Sequence, residues 1–535
     1  MKRRSFFRSA ALGSGVLALA PLSACTSSET NHEVDFSSFD LNEASVESLQ
    51  KQMAAGEITS LALVEKYLER IAGVDGVLHS VIELNPDARE IASRLDDERA
   101  RGKLRGPLHG IPVMIKDNID TGDKMMTTAG SMALDGFRAQ EDAFIVKRLR
   151  EAGAVLLGKT NLSEWANIRS GNSSSGWSGR GGQVRNAYVL DRTPCGSSSG
   201  TGVAVSANLC TLGIGTETDG SIVCPSGTNG IVGIKPTLGS WSRQGIIPIS
   251  HSQDTAGPMA RTVSDATILL GALSAADPSD EATTVPGRLN ISDYTPYLKK
   301  DGLKGKRIGV ARQFFGFHAQ VDVLMNEALA LMKEAGAELV DPIVLEGRRE
   351  WGEAEWQVLL YELKHDLNKY FSEHPNAPVR SLEEVIAYNK THAAIEMPWF
   401  GQDIFELAQQ KGDLNEKEYI DALKTSKELS RNAIDGVMNE HQLDAIVAPT
   451  NGPAWSIDWV NGDHFGGGSS APAAISGYPN ITVPAGQVHQ LPVGISFFGR
   501  AWSEAVLIET AYAFEQLSKF RKAPGFVPSL LDQKL

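Results

Sequence analysis

Short apolar runs of strand length, separated by helical segments, constrain the fold of this 535-residue chain most strongly. Residues 111–115 (IPVMI) and 154–157 (AVLL) are two such runs, and residues 142–151 between them have a helical pattern. Strands that are buried on both faces of a sheet form continuous apolar runs rather than alternating ones. The pattern predicts an α/β fold, a single large domain with a mixed β-sheet core flanked by α-helices.

Two amphipathic helices are expected to open this domain. Val46, Leu49 and Met53 recur at helical spacing, and after a break at Gly56 a second helix follows with Thr59 as its N-cap. Further strands are expected at residues 307–311, 445–448 and 493–497. We expect the domain to cover residues 41–535, with a helical insertion at about residues 361–432.

The first 24 residues have the composition of an export signal. They contain four basic side chains and no acidic one, and an apolar run at residues 10–22 follows the basic segment. This predicts a secretory signal peptide, because the run is too short to span a bilayer comfortably. Leu22-Ser-Ala-Cys25 resembles a bacterial lipobox, and Arg3-Arg4 resembles a twin-arginine signal. An ordinary cleaved signal without a lipid is the alternative.

The lipobox resemblance implies that Cys25 becomes lipidated and is the new N-terminus. Residues 25–40 are mostly polar and unpatterned, which predicts a flexible tether between the lipid and the folded domain. The expected location is therefore the periplasm or cell envelope of a bacterium, with the membrane contacted only through the lipid anchor at Cys25.

Charge and cysteine content exclude several classes of function. The formal net charge is −14, and loss of the four basic residues at 1–24 would take it to −18, which disfavours nucleic acid as a partner. Apart from Cys25, three cysteines remain, at positions 195, 210 and 224. Their odd number and their spacing predict neither a disulfide framework nor a zinc site. We therefore expect them to be unpaired, as suits folding in the reducing cytoplasm before export.

A glycine- and serine-rich stretch at residues 195–221 contains the strongest functional pattern. Consecutive backbone N–H groups in such a stretch form an anion-binding nest, for a phosphate or for the oxyanion of acyl transfer. A phosphate loop of the Walker type would need a Gly-Lys-Ser/Thr ending, and this stretch has no lysine. Residues 196–200 match the G-x-S-x-G elbow with Ser198 as nucleophile, but the polar residues 186–194 before it do not predict the required strand. The alternative to a binding or catalytic role is that this stretch is simply a flexible surface loop.

The stretch from Gly196 through Ser221 to Thr237 resembles the signature of the amidase signature family. Residues 110–118 (GIPVMIKDN) resemble the strand that presents the lysine of that family, and residues 491–500 (LPVGISFFGR) resemble its late strand. The matching segments lie in order from about residue 41 to 516. The resemblance implies an enzyme that hydrolyses carboxamide bonds through an acyl-enzyme, without a metal or another cofactor.

By the same resemblance, Ser221 matches the nucleophile, Ser197 the serine that follows a cis peptide bond, and Lys116 the base. The backbone N–H groups of residues 218–221 match the oxyanion hole, that is Thr218, Asp219, Gly220 and Ser221. A lysine can act as a base once burial lowers its pKa, although Asp117 would oppose this if its carboxylate faced the lysine. Many members have glycine at position 219 and arginine at position 223, where this chain has Asp219 and Val223.

The motifs of residues 195–200, 217–222 and 242–249 are most similar to those of bacterial peptide amidases. This implies release of ammonia from C-terminally amidated peptides. The alternatives are an amidase of small aliphatic, aryl or fatty amides and, from another class, a solute-binding lipoprotein that holds an anion in the nest. His109 and His251 lie near the motifs, but we interpret them as structural because the lysine already supplies a base.

We predict that Cys25→Ala releases the exported protein from the membrane and leaves its amidase activity intact, because Cys25 lies far from the predicted site along the chain. Membrane fractionation and an activity assay of both fractions measure this. A wild-type protein that is already soluble after export would contradict the lipobox interpretation.

Overall fold

A mixed sheet of eleven strands forms the centre of the computed structural model, which describes residues 39–532. A two-stranded hairpin lies apart from it. The strands are β1 (Val81–Leu84), β2 (Pro112–Lys116), β3 (Val155–Thr160), β4 (Trp177–Ser178), β5 (Gly182–Gln183), β6 (Leu212–Glu217), β7 (Val232–Lys235), β8 (Thr255–Ala260), β9 (Arg307–Val310), β10 (Glu338–Val340), β11 (Ala445–Pro449), β12 (Asn480–Val488) and β13 (Leu491–Phe498). The predicted single α/β domain with a mixed sheet is confirmed.

Helices cover the two faces of this sheet. They are α1 (Val46–Ala55), α2 (Ser60–Leu78), α3 (Ala88–Ala100), α4 (Phe144–Glu151), α5 (Ser199–Ser206), α6 (Val223–Thr228), α7 (Val263–Leu273), α8 (Ala319–Glu334), α9 (Arg348–Glu373), α10 (Leu382–Thr391), α11 (Ala393–Glu396), α12 (Asp403–Gln409), α13 (Lys417–Glu440), α14 (Ala471–Ser476) and α15 (Glu504–Ser518). The two opening helices form as predicted, and the Thr59 hydroxyl caps α2 by accepting from the Ala62 N–H at 3.1 Å.

The predicted signal peptide, Cys25 and the tether up to residue 38 lie outside the described residues. Of the helices between residues 39 and 532, none combines the length and the apolar character that a membrane span requires.

The order of the strands places several chain segments at one edge of the sheet. The order is β1-β3-β2-β6-β8-β7-β12-β13-β11-β9-β10. Strand β2 pairs in parallel with both β3 and β6, so the carboxyl ends of these three strands meet at the same edge. Ligand sites of α/β sheets lie at such carboxyl ends. The residues that follow β2 and β6 are therefore brought together although about 100 positions separate them in sequence.

Two glycines of β6 allow α5 to approach the sheet closely. A Cβ at Gly213 would lie 2.5 Å from the Thr201 Cγ2, and a Cβ at Gly215 would lie 2.7 Å from the Ser198 Oγ. Real Cβ atoms do not approach other heavy atoms this closely, so any side chain here would push α5 away. The glycine density that pointed to a ligand nest thus also serves the packing of α5 on β6.

The helical insertion is longer than the sequence predicted. Helices α9 to α13 run from Arg348 to Glu440, between β10 and β11, whereas the expectation was about 361–432. The first half of α9 carries charged residues on most of its surface and so gives little periodic signal, although Trp351 and Val358 are buried.

A buried charge cluster joins this helical region to the sheet side of the molecule. Arg169 is 0% exposed, and its Nη1 lies 2.7 Å from Glu164 Oε1 and 3.9 Å from Glu396 Oε2, where Glu396 belongs to α11. The guanidinium also lies over the Phe400 ring, 4.3 Å from its centroid. Burial first, and the neighbouring Glu396 carboxylate next, raise the pKa of Glu164 well above its ordinary value. One arginine thus balances two carboxyl groups that have no access to water.

We predict that Arg169→Leu lowers the free energy of unfolding by about 3–5 kcal/mol, because it leaves buried carboxyl groups without their cationic partner. Arg349→Leu is the matched control, since the Arg349–Glu353 pair is exposed and should leave stability unchanged. Denaturant unfolding of both variants measures this. Equal stability of the two variants would show that the buried cluster does not stabilise the fold.

Candidate active site

Lys116 is the last residue of β2 and lies fully buried at the carboxyl edge of the sheet. Its Nζ donates to Ser197 Oγ at 2.8 Å, to Thr216 Oγ1 at 2.8 Å and to the Thr216 carbonyl at 3.3 Å. The parallel pairing of β2 with β6 brings Thr216 to the lysine. All three contacts are oxygens of uncharged groups, so no carboxylate forms a direct ion pair with the ammonium.

Burial lowers the pKa of Lys116 from 10.5 to about 7, and the more distant carboxylates of Asp254 and Glu217 oppose this shift. Asp117 follows Lys116 in the sequence, but its carboxylate is not one of the groups that oppose the lowering of the lysine pKa. It faces away from the lysine, where its carboxylate accepts from the N–H groups of Thr128 and Gly130, both at 3.3 Å. A substantial fraction of Lys116 is therefore neutral at pH 7 and able to accept a proton.

Ser197 is fully buried between Lys116 and the start of α5. The peptide bond between Gly196 and Ser197 is cis, as the family resemblance implied. The Ser197 carbonyl accepts from the Ser163 N–H at 3.1 Å, and its hydroxyl accepts from Lys116. These contacts fix the serine from both sides.

Ser221 ends the tight loop that follows β6. The Glu217 carboxylate shapes this loop, since its Oε2 accepts from the N–H groups of Ile222 at 2.7 Å and Val223 at 3.0 Å, where α6 begins. The Ser221 carbonyl accepts from the Ser198 N–H at 3.1 Å, which ties the Ser197 segment to the Ser221 segment. Ser221 is 9% exposed, whereas Ser197 and Lys116 are 0% exposed. Of the three predicted residues, Ser221 is thus the one nearest to solvent.

The loop from Thr218 to Ser221 has the backbone expected of an anion nest. Gly220 has a φ of 80°, in the left-handed region that favours glycine. Across residues 39–532, the N–H groups of Asp219, Gly220 and Ser221 donate to no other group of the chain. They are therefore free to donate to a ligand. Burial raises the pKa of the Asp219 carboxyl to about 6, and its Oδ1 is buried without a hydrogen-bond partner.

The expectation that the cysteines stay unpaired was wrong. Cys195 and Cys224 form a disulfide, with their Cα atoms 6.0 Å apart, and Cys210 is buried and free. Their separation of 29 positions gives no recognisable spacing. The fold brings them together because Cys195 precedes Ser197 by two residues and Cys224 follows Ser221 by three. The bridge therefore closes the two serine segments on each other.

The alternative residues considered from the sequence have other environments. The Ser198 hydroxyl is fully buried and hydrogen-bonded to the backbone of Thr216, and residues 184–198 contain no named strand, so the elbow geometry is absent here. His109 is buried, with its Nε2 2.9 Å from the Leu95 carbonyl oxygen. His251 contacts Asp366 of α9 and lines a cavity.

Several residues near the site were not found from the sequence. Thr216 accepts from both Lys116 and the Asn118 side chain, and Asp254 accepts from the Thr218 hydroxyl at 2.6 Å. Gln253 Nε2 donates to the Thr218 carbonyl at 3.3 Å and to Glu355 of α9 at 2.9 Å. These residues have no periodic or spacing signal in the sequence, so only the folded arrangement reveals them.

A cavity of about 850 Å³ borders this arrangement. It reaches the site through Asn118 and through Thr216, Glu217 and Thr218, while Ser197 and Ser221 are not among its lining residues. Its other walls include residues 243–249 and the middle of α9. The helical insertion thus forms part of the wall of the cavity beside the site.

A family model described as Amidase matches residues 62–508, most of the chain. The chain belongs to the amidase signature family. An amidase of this family hydrolyses amide C–N bonds, and the lysine, the two serines and the free N–H groups lie together at one edge of its sheet.

This amidase is similar over nearly its full length to characterised structures and curated proteins. A structure of the peptide amidase PAM in complex with the competitive inhibitor chymostatin is 52% identical, with a TM-score of 0.89, covering 91% of this chain and 100% of that one. The native peptide amidase from Stenotrophomonas maltophilia is 51% identical, with a TM-score of 0.87. The match covers 91% of this chain and 99% of that one. A probable amidase from Arabidopsis thaliana is 44% identical over 503 residues. The match covers 92% of this chain and 93% of the plant protein.

We predict that kcat/KM rises with pH through one deprotonation near pH 7, because only neutral Lys116 accepts a proton and its pKa is lowered to about 7. Below this pKa the rate should fall about tenfold per pH unit. Lys116→Ala should abolish amide turnover, whereas His109→Ala should retain most of it. A pH–rate profile of each protein measures this, and a histidine variant that is folded but inactive would favour a histidine-based mechanism.

Proposed function

We propose that the amidase releases ammonia from C-terminally amidated peptides through an acyl-enzyme on Ser221. The observation that carries the proposal is the hydrogen bond from a fully buried lysine of lowered pKa to Ser197, in a segment tied directly to that of Ser221. This arrangement supplies a base, a proton relay and a nucleophile without a histidine.

In the first half of the reaction, the Ser221 hydroxyl attacks the carboxamide carbon. Its proton passes to Ser197, whose own proton passes to neutral Lys116. The developing oxyanion accepts hydrogen bonds from the free N–H groups of the loop 218–221, and each such donor is worth on the order of a hundredfold in turnover. The proton then returns through Ser197 to the leaving nitrogen, and ammonia departs.

In the second half, water attacks the acyl-enzyme carbonyl. The same Ser197–Lys116 pair takes the proton of the water and returns it to the Ser221 oxygen, which releases the carboxylic acid. The balance is one carboxamide and one water converted to one acid and one ammonia. No metal or other cofactor takes part in these steps.

Three observations support a peptide amide as the substrate. The solved structures described above at 51–52% identity are peptide amidases, one with the inhibitor chymostatin bound. The motif that favoured this branch supplies residues 243–249 of the cavity wall. A cavity of about 850 Å³ is also large enough for a peptide, whereas a small aliphatic amide would leave most of it unfilled.

We further propose that the protein is exported and held at the membrane by a lipid on Cys25. The residues concerned lie outside the described part of the chain, and the plant relative shows that the family is not restricted to bacterial envelopes. The disulfide between Cys195 and Cys224 supports export, because disulfides persist in oxidising compartments.

We predict that an active-site-directed fluorophosphonate labels Ser221, because Ser221 is the most exposed of the three residues and ends the free N–H loop. Peptide mapping should find the label on Ser221 in the wild type and in Ser198→Ala, and Ser221→Ala should take up none. Label on Ser198 would favour the elbow alternative.

The same proteins test the substrate class by ammonia release from amidated dipeptides, amino-acid amides, anilides and long-chain amides. Amidated dipeptides should give the highest kcat/KM, and Ser221→Ala should release no ammonia from any of them. A higher kcat/KM for small aliphatic, aryl or fatty amides would select the alternative substrate class within the same mechanism.

A further inference from the structure

Three side chains from two distant segments converge in the wall of the cavity. His251 precedes β8, and His365 and Asp366 are neighbours in the middle of α9. Asp366 Oδ1 lies 3.0 Å from His251 Nδ1 and 2.9 Å from His365 Nδ1. One nitrogen from each ring and one carboxylate oxygen lie within 4.8 Å of one another, and this is the one such cluster in residues 39–532.

The spacing of these atoms matches the edges of a tetrahedral metal site. Ligand bonds of about 2.0–2.2 Å at tetrahedral angles separate the ligand atoms by about 3.4 Å. The two distances to Asp366 are within about 0.5 Å of that value, and the two ring nitrogens lie no more than 4.8 Å apart. Both rings line the cavity, and they are 38% and 48% exposed, which gives an ion a route of entry.

The outer contacts of His251 favour a cation further. Its Nε2 lies 3.4 Å from Glu362 Oε1, and the Glu362 carboxylate is held by Ser250, Ser252 and Tyr419. Carboxylates behind a histidine ligand are typical of metal sites. Carboxylates thus lie beside both nitrogens of the His251 ring, where they stabilise positive charge, whether a second ring proton or a bound cation supplies it.

The charge around the cluster also attracts cations. Asp254 lines the same cavity, and Glu362 lies beside His251. The nearby cations are neutralised, since Arg243 pairs with Asp280 and Lys369 with Glu373. An arriving divalent ion would therefore meet a net negative wall.

We propose that His251, His365 and Asp366 bind one divalent transition-metal ion, with a coordination position open to the cavity. Two imidazoles and one carboxylate suit Zn²⁺ or Co²⁺ rather than Mg²⁺, which prefers oxygen ligands. The ion would cross-link α9 to the loop that leads to Gln253 and Asp254, the residues that hold Thr218. It takes no part in the acyl transfer, so the site is independent of the function proposed above.

The test is titration of the untagged, EDTA-treated protein with Co²⁺, followed by visible absorption and calorimetry, with Zn²⁺ as competitor and Mg²⁺ as control. We expect one equivalent of Co²⁺ with a visible ligand-field band, displacement by Zn²⁺ and no response to Mg²⁺. His365→Ala and His251→Ala should each weaken Co²⁺ binding at least tenfold while circular dichroism remains unchanged.

His464→Ala is the matched control, because His464 is exposed and also faces a carboxylate, at 3.8 Å from Asp458, but has no second histidine beside it. It should bind Co²⁺ as the wild type does. Absence of saturable binding to the wild type would overturn the proposal and leave an ordinary ion-pair cluster. Binding that persists at full affinity in His365→Ala, or that is lost in His464→Ala, would also overturn it.

Discussion

The hydrogen bond between Lys116 and Ser197 is the interaction on which the site depends, because it places a basic nitrogen where water cannot reach it. A lysine in water would be charged at neutral pH and useless as a base. Here the sheet surrounds the amine with the hydroxyls of Ser197 and Thr216 and with uncharged backbone, so burial dominates over the more distant carboxylates.

The helical region from α9 to α13 does more than enlarge the molecule. Glu355 of α9 is linked through Gln253 to Thr218 of the loop 218–221, and Asp366 contacts His251 in the loop that precedes β8. The buried Arg169 contacts Glu396 and so attaches α11 as well. The region is therefore attached to this edge of the sheet through hydrogen bonds and ion pairs, which are directional, rather than through apolar packing alone.

The sequence was sufficient for the α/β class, for the strands at 111–115 and 154–157 and for the two opening helices, since continuous apolar runs and caps are local signals. Motifs rather than periodicity pointed to Lys116, Ser197 and Ser221, and the structure places their segments together at one edge of the sheet. The sequence did not predict the disulfide, the start of α9 or the partners of Thr218. Each of these depends on which distant segments the sheet order places side by side, and no local pattern encodes that order.

The bridge between Cys195 and Cys224 protects the segment around both serines against the effect of proteolysis. It encloses Ser197, Ser221 and the whole loop 218–221 in one covalent ring. A protease that cut a single bond within that ring would leave the two pieces joined, with Ser197 and Ser221 still on the same molecule. Damage to this segment would therefore nick the protein without dividing it, and the buried contacts around Lys116 would keep the severed ends in register.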